Sequence, residues 1–180
     1  MTKKLVLFTS VILLCFSSIV SAKCDATADF VTPPKTKRQS LDLAEGVTLK
    51  LAQTISTQIK SNAKIASNVI CQVLEGASYT GSEEEWQGFI NSAANGLIAK
   101  EYQNVTLTLV GEMDATYKGK KQNKEYVFTA KTPSGVQHIH NLAVLDKENN
   151  TFYTLSVSGD ESIKDEVIKE YKRLVDSFSL

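Results

Sequence analysis

Across 180 residues this sequence has three prolines, two methionines, two histidines and one tryptophan, and its twenty basic and twenty acidic residues cancel. That balance excludes electrostatic steering toward nucleic acid. No G-x-S-x-G elbow, P-loop or dinucleotide fingerprint occurs, so the sequence marks of serine hydrolases, nucleotide hydrolases and Rossmann cofactors are missing. Neither histidine has an evident serine or cysteine partner along the chain, which leaves nucleophilic catalysis without support. Past residue 22, no run approaches the roughly 20 apolar residues that a transmembrane helix requires.

The N-terminus supplies what the rest lacks. Lys3 and Lys4 precede an apolar run from Leu5 to Phe16, and small residues follow to Val20-Ser21-Ala22. This is the layout of a secretory signal peptide over residues 1–22, cleaved after Ala22. Cys15 follows Leu13-Leu14 rather than the small residues of a lipid-modification site. The expected product is an exported, periplasmic or secreted chain with 18 basic and 20 acidic residues, because the leader removes two of the lysines and no acid. Its length fits one domain with a real core.

Two cysteines remain, Cys24 and Cys71, and exported proteins mature where disulfides persist. With one intramolecular connectivity available and no CxxC spacing, they read as a structural bridge rather than as redox or metal thiols. Residues 23–45 hold Pro33-Pro34 and the basic run Lys35 to Arg38, and read as an extended or mobile lead-in tethered at Cys24. A single domain follows over residues 46–180. Val47, Leu49 and Leu51 alternate at strand period, with a helical phase also open through Leu43, Val47, Leu51 and Ile55. Ile59 to Ala66 is mixed, and Asn68 to Leu74 reads as a buried strand.

Ser82 stands three residues before Glu85, a capping box, and Trp86, Phe89, Ile90, Ala93, Leu97 and Ile98 follow at helical spacing. This predicts a helix to about Tyr102. Strands are expected at Val105 to Val110, continuing past Gly111 into Asp114 to Tyr117, then at Lys124 to Lys131, Val136 to Leu145 and Phe152 to Val157. Polar turns too short for parallel crossovers separate them, so the pairing is antiparallel. Ser158 and Glu161 repeat the capping-box spacing ahead of an apolar stripe of Ile163, Val167, Tyr171, Leu174 and Phe178. The order ββ, α, four or so β, α describes an α+β fold: an antiparallel sheet with two covering helices.

That order, with the ending "NTFYTLSVSGDESIKDEVIKEYKRLVDSFSL", resembles the PsbP and DcrB-like group of small exported α/β proteins over Gly46 to Leu180. The resemblance implies an α-β-α sandwich, a periplasmic or lumenal setting and a role as an accessory or binding protein, with no catalytic residue. Lipoprotein members of the group carry a lipobox, which this sequence lacks.

Two clusters remain as candidate sites. His138 and His140 lie two apart in an expected strand, so they share a face and are spaced to share a Zn²⁺ or Cu²⁺. Further ligands would have to be carboxylates or Cys71, and the plainer expectation is surface or half-buried imidazoles at the end of the Leu142, Val144 stripe. Lys118, Lys120, Lys121 and Lys124 crowd one expected hairpin tip. They read as a solvated turn that discourages edge pairing, or as a contact for an anionic partner. The expected function is an exported, non-enzymatic accessory or binding protein acting on a protein or cell-envelope component. The alternative is a metal-binding protein using His138 and His140; otherwise no cofactor is expected.

Overall fold

The computed structural model describes residues 24–180; the expected signal peptide lies outside them. The chain forms a seven-stranded antiparallel sheet with two helices, an α+β fold. The strands are β1 (Lys35–Ala44), β2 (Val47–Lys60), β3 (Ala63–Glu75), β4 (Gln103–Leu109), β5 (Gln122–Thr132), β6 (Gly135–Asp146) and β7 (Thr151–Asp160). Helix α1 (Glu83–Ile98) follows β3, and a 3₁₀ turn (Glu161–Ile163) leads into α2 (Lys164–Asp176). Across the sheet the order is β1-β2-β3-β7-β6-β5-β4, so the strand formed last sits in the middle.

Short turns produce the hairpins. Ser61 and Asn62 both have positive φ, 48° and 62°, the left-handed pair of a two-residue turn whose twist matches the strands it joins. That turn pairs Lys60 with Ala63 and fixes the β2–β3 register along both strands, including the stretch from Ile59 to Ala66 that looked mixed in sequence. Ahead of it, the segment expected as a lead-in departs at Lys35 to form β1, paired with β2 from Lys35↔Ile55 to Ala44↔Val47. Residues 24–34 do serve as a tether. Cys24 is bonded to Cys71, Thr27 forms a bridge with Ser179, and the Asp29 carbonyl accepts from Arg173 Nη2 at 3.0 Å.

Alternate residues of the central strands feed two separate cores. Leu142 and Val144 of β6 join Tyr153, Leu155 and Val157 of β7 and Val167, Tyr171 and Leu174 of α2. Ala143 and Leu145 of β6 join Phe152 of β7 with Trp86 and Ile90 of α1. Trp86, 1 % exposed, is the core anchor of α1, and Phe89 stacks on Phe152 at 3.7 Å between centroids. Truncating such an aromatic costs about 3–5 kcal/mol.

The helix ends refine the expectations. Ser82 caps α1 by accepting from the Glu85 amide, but the helix stops at Ile98, four residues early. Ser158 does not cap α2. It remains inside β7, paired with Ile139 and Ala66; Asp160 caps the 3₁₀ turn by accepting from the Ser162 amide at 2.9 Å, and α2 itself starts after Ile163 with no side-chain cap. Asp114 to Tyr117 forms no strand; it belongs to a loop between β4 and β5.

Candidate functional site

The histidine pair lies on the α2 side of β6. His138 and His140 are 4 % and 9 % exposed, deeper than the half-buried position expected of them. The reason is a cover that sequence spacing does not reveal: Tyr171 of α2 stacks on the His140 ring at 3.7 Å with planes 8° apart. His140 Nε2 is 3.1 Å from Glu125 Oε1, and the Thr116 amide donates to Glu125 Oε2 at 2.7 Å. Burial works to raise the Glu125 carboxyl, but the His140 and Thr116 bonds outweigh it and hold it below the usual carboxylate range. The Tyr171 hydroxyl lies beside this carboxylate without the alignment of a hydrogen bond, and its pKa is raised, first by burial and then by that charge.

His138 engages a different acid. Its Nδ1 approaches Glu161 Oε2 at 3.3 Å, an electrostatic contact rather than an aligned hydrogen bond. Burial pushes the His138 imidazole below its ordinary pKa, and the Glu161 charge only partly opposes this. The two rings stand 6.0 Å apart at 75°, each toward its own carboxylate. Among the described residues, no group of three or more His, Cys, Asp or Glu is placed to hold a metal.

The lysine cluster lies in the loop that joins the paired strands β4 and β5 and at the start of β5, and most of its charge is engaged within the chain. Lys121 donates to Asp146 and Glu148 at 2.7 and 2.8 Å, which raises its pKa, and Lys124 pairs with Glu83 at 3.0 Å. Lys118 donates to the Ala115 carbonyl at 2.7 Å. Among the described residues, Lys120 alone of the four makes no hydrogen bond or ion pair.

The opposite face holds a feature that neither cluster announced. Helix α1 covers the β4–β6 side of that face and reaches Phe152 of β7, and between it and β2–β3 lies a cleft of about 670 Å³. The floor is polar and uncharged. Asn68 of β3, Ser156 of β7 and Asn141 of β6 form one row across three strands, with Thr154 beside it. Ser156 Oγ donates to Asn141 Oδ1 at 2.7 Å, the Asn141 amide nitrogen to the Ile139 carbonyl at 3.0 Å, and Gln53 Nε2 to Asn68 Oδ1 at 3.0 Å. Among the described residues these bonds leave the Asn68 amide nitrogen, the Gln53 amide oxygen and the Thr154 hydroxyl without a partner.

The walls differ from the floor. Phe89, Ala93 and Leu97 of α1 give an apolar side, Tyr126, Phe128 and Phe152 close one end, and Lys100 stands at the rim. A smaller recess of about 130 Å³, sharing Gln53 and Ile70, carries the cleft outward to Lys37 on β1. No lining residue of the larger cleft is an Asp, Glu, His or Cys. The sequence did hold a signal for it: Thr154, Ser156 and Ser158 alternate with Tyr153, Leu155 and Val157. In an antiparallel strand that alternation marks one face open to water.

The model of the PsbP family matches residues 66–180, well over half of the chain, and this protein belongs to that family. No curated protein matches it significantly. The matched region begins within β3, so β1 and β2, which build the outer side of the cleft, precede it.

Proposed function

We propose that this PsbP-family chain is an exported, non-enzymatic binding protein that holds an amphipathic, anionic envelope component in the cleft beside α1. The observation that carries this reading is the polar row on the middle strands. A central strand normally buries both faces under other elements, and here Thr154, Ser156 and Asn68 instead face an open cleft with hydrogen-bonding capacity to offer. Pockets that combine apolar walls with a few convergent polar groups are the usual form of a ligand site. The cleft is lined by hydroxyls and one lysine but by no carboxylate, imidazole or thiol, so its serines and threonines have no carboxylate or imidazole base in the lining to activate them, which favours retention over turnover. Lys100 and Lys37 at the margins select negative charge.

The arrangement rests on an α-β-α layering, inferred from the two cores on opposite parities of β6. In it α2 seals its face while α1 leaves half of the other open. The disulfide between Cys24 and Cys71 and the lack of any long apolar helix among the described residues are compatible with export.

Titration of the ¹⁵N-labelled protein with dihexanoylphosphatidylglycerol below its micelle concentration tests the reading. Saturable amide shifts are expected at Asn68, Thr154, Ser156 and Lys100, with weaker saturation for the zwitterionic choline lipid. A Cβ on Gly96 meets nothing within 4 Å, so Gly96→Trp fills the cleft from α1 without entering the core and should abolish the shifts. Shifts scattered over the surface, or surviving in Gly96→Trp, would reject the cleft as the site.

A further inference from the structure

Strand β1 ends the sheet, and its only neighbour is β2. All ten of its residues are exposed. Alternate residues of such a strand direct N–H and C=O groups outward, a template for another strand. The preceding segment does not cover it. Residues 24–34 run over the α2 side, where Thr32 bonds to Ser56 and to the Thr57 carbonyl and Asp29 to Arg173 and Ser177.

The charges on this edge are sorted by end. Lys35, Lys37 and Arg38 occupy its beginning and Asp42 its finish, with Glu45 in the turn that follows, and among the described residues none of the three cations has an ion-pair partner. Asp42 accepts from the Thr48 hydroxyl at 3.1 Å, which orients its carboxylate while leaving the second oxygen available. Leu41 and Leu43, 45 % and 57 % exposed, lie on the same strand.

We infer that β1 is a self-recognition edge, which pairs antiparallel with β1 of a second copy about a two-fold axis through Ser40. An axis perpendicular to the sheet sets each residue opposite one of the same facing, so the positions of opposed residues sum to an even number. With Ser40 on the axis, Arg38 lies opposite Asp42, a contact that occurs twice. Gln39 lies opposite Leu41, and Lys37 lays its methylene stem opposite Leu43. A shift that centres the axis on Arg38 sets the two guanidinium groups against each other. The centred stretch Arg38–Asp42 precedes the irregularity in the β1–β2 register, which falls between Asp42 and Ala44. The other edge strand lacks this code: β4 carries no charged residue, and its register shifts between Gln103 and Thr106. The result is one continuous fourteen-stranded sheet with both copies of the α1 face, and both clefts, on the same side.

Sedimentation equilibrium of the exported, oxidised chain at low salt tests this independently of any ligand. The wild type should be a dimer that weakens as salt rises. Arg38→Asp sets two acids against two acids and Asp42→Arg two bases against two bases. Each should weaken association by about tenfold or more, since like charges directly opposite across strands repel. An equimolar mixture of the two variants should then form a heterodimer, and the double variant should regain the homodimer. That rescue excludes misfolding as the cause of the single-variant losses. A monomeric wild type, a dimer indifferent to Arg38→Asp, or no recovery on mixing would overturn the inference.

Discussion

The bond between Cys24 and Cys71 sets a quantity that the structure fixes without reference to ligands. The two cysteines are 47 residues apart, and the loop they close contains β1, β2 and most of β3. Closing a loop of that length in the unfolded chain removes entropy worth about 4 kcal/mol in the chain-entropy model. The folded state gains little from the bond, because residues 24–34 are also held by the Thr27–Ser179 pairing, by Arg173 on the Asp29 carbonyl and by the Ser177 hydroxyl on the Asp29 amide. Cys24→Ala removes the crosslink and leaves the buried Cys71 thiol in its core. The variant should fold to the same structure and lose about 4 kcal/mol in urea unfolding, with a melting temperature about 8–16 °C lower. Its m-value should rise, because the uncrosslinked chain exposes more surface on unfolding. The wild type in reductant should match it. A loss under about 1 kcal/mol, with an unchanged m-value, would refute the reasoning, since it would mean that the unfolded chain already keeps Cys24 near Cys71.

Two further perturbations probe the α2 side. The depressed pKa of His138 means that the unfolded chain takes up a proton before the folded one. Its contribution is therefore complete above the unfolded value near 6.5 and is lost as pH falls from there toward the lower folded value. His138→Gln should flatten the stability profile between about pH 5 and 6.5, while the acid limb below pH 4.5, set by the depressed Glu125, Glu170 and Asp146 carboxyls, stays in both proteins; parallel chemical-denaturation series would show equal slopes if His138 had no part. Gly159 sits where a Cβ would come within 2.7 Å of Val167 Cγ2 and 3.2 Å of the Lys64 carbonyl, so Gly159→Ala should cost about 1–3 kcal/mol. Gly96→Ala, in open space on α1, should instead gain up to about 1 kcal/mol, and equal melting temperatures for the two would count against close packing of α2 on β7.

What the sequence disclosed follows the range of the forces involved. The Ser82 cap and the α1 stripe from Trp86 to Leu97 are local, as are the alternations of β5, β6 and β7, and these are present as read, whereas Ile98, the last stripe residue, is exposed where the helix ends. The disulfide followed from counting cysteines in a chain expected to be exported. The strand β1 was hidden because its polar, basic composition reflects an edge in water, and only the β2 register reveals the pairing. Ser158 misled because β7 runs two residues past the point where its capping spacing began, and Asp160 caps the 3₁₀ turn that follows. The burial of the histidines depended on Tyr171, 31 residues beyond His140, closing over the ring. No periodicity within β6 carries that contact.

The two faces of the sheet handle polarity in different ways, and the difference separates a closed face from an open one. On the α2 side two buried carboxylates are closely matched, Glu125 by His140 and by the Thr116 amide, and Glu170 by two bonds from Arg173 and one from Ser67, while His138 and the Tyr171 hydroxyl lie beside acids without aligned hydrogen bonds. Such satisfied clusters fix one packing of α2 and leave little to offer a ligand. On the α1 side the polar row is neutral and only partly paired, and it faces a cleft rather than a helix. Closing that row under a longer α1 would bury Asn68 and Thr154 without partners, at about 1–3 kcal/mol for each unsatisfied group. An open cleft leaves these groups within reach of solvent, and any ligand held there would have to supply matching donors and acceptors. The strands flanking this opening, β1 and β2, are also the ones that lie before the PsbP match. In this chain the β1–β2 hairpin widens the sheet face and supplies the edge on which a second copy extends it.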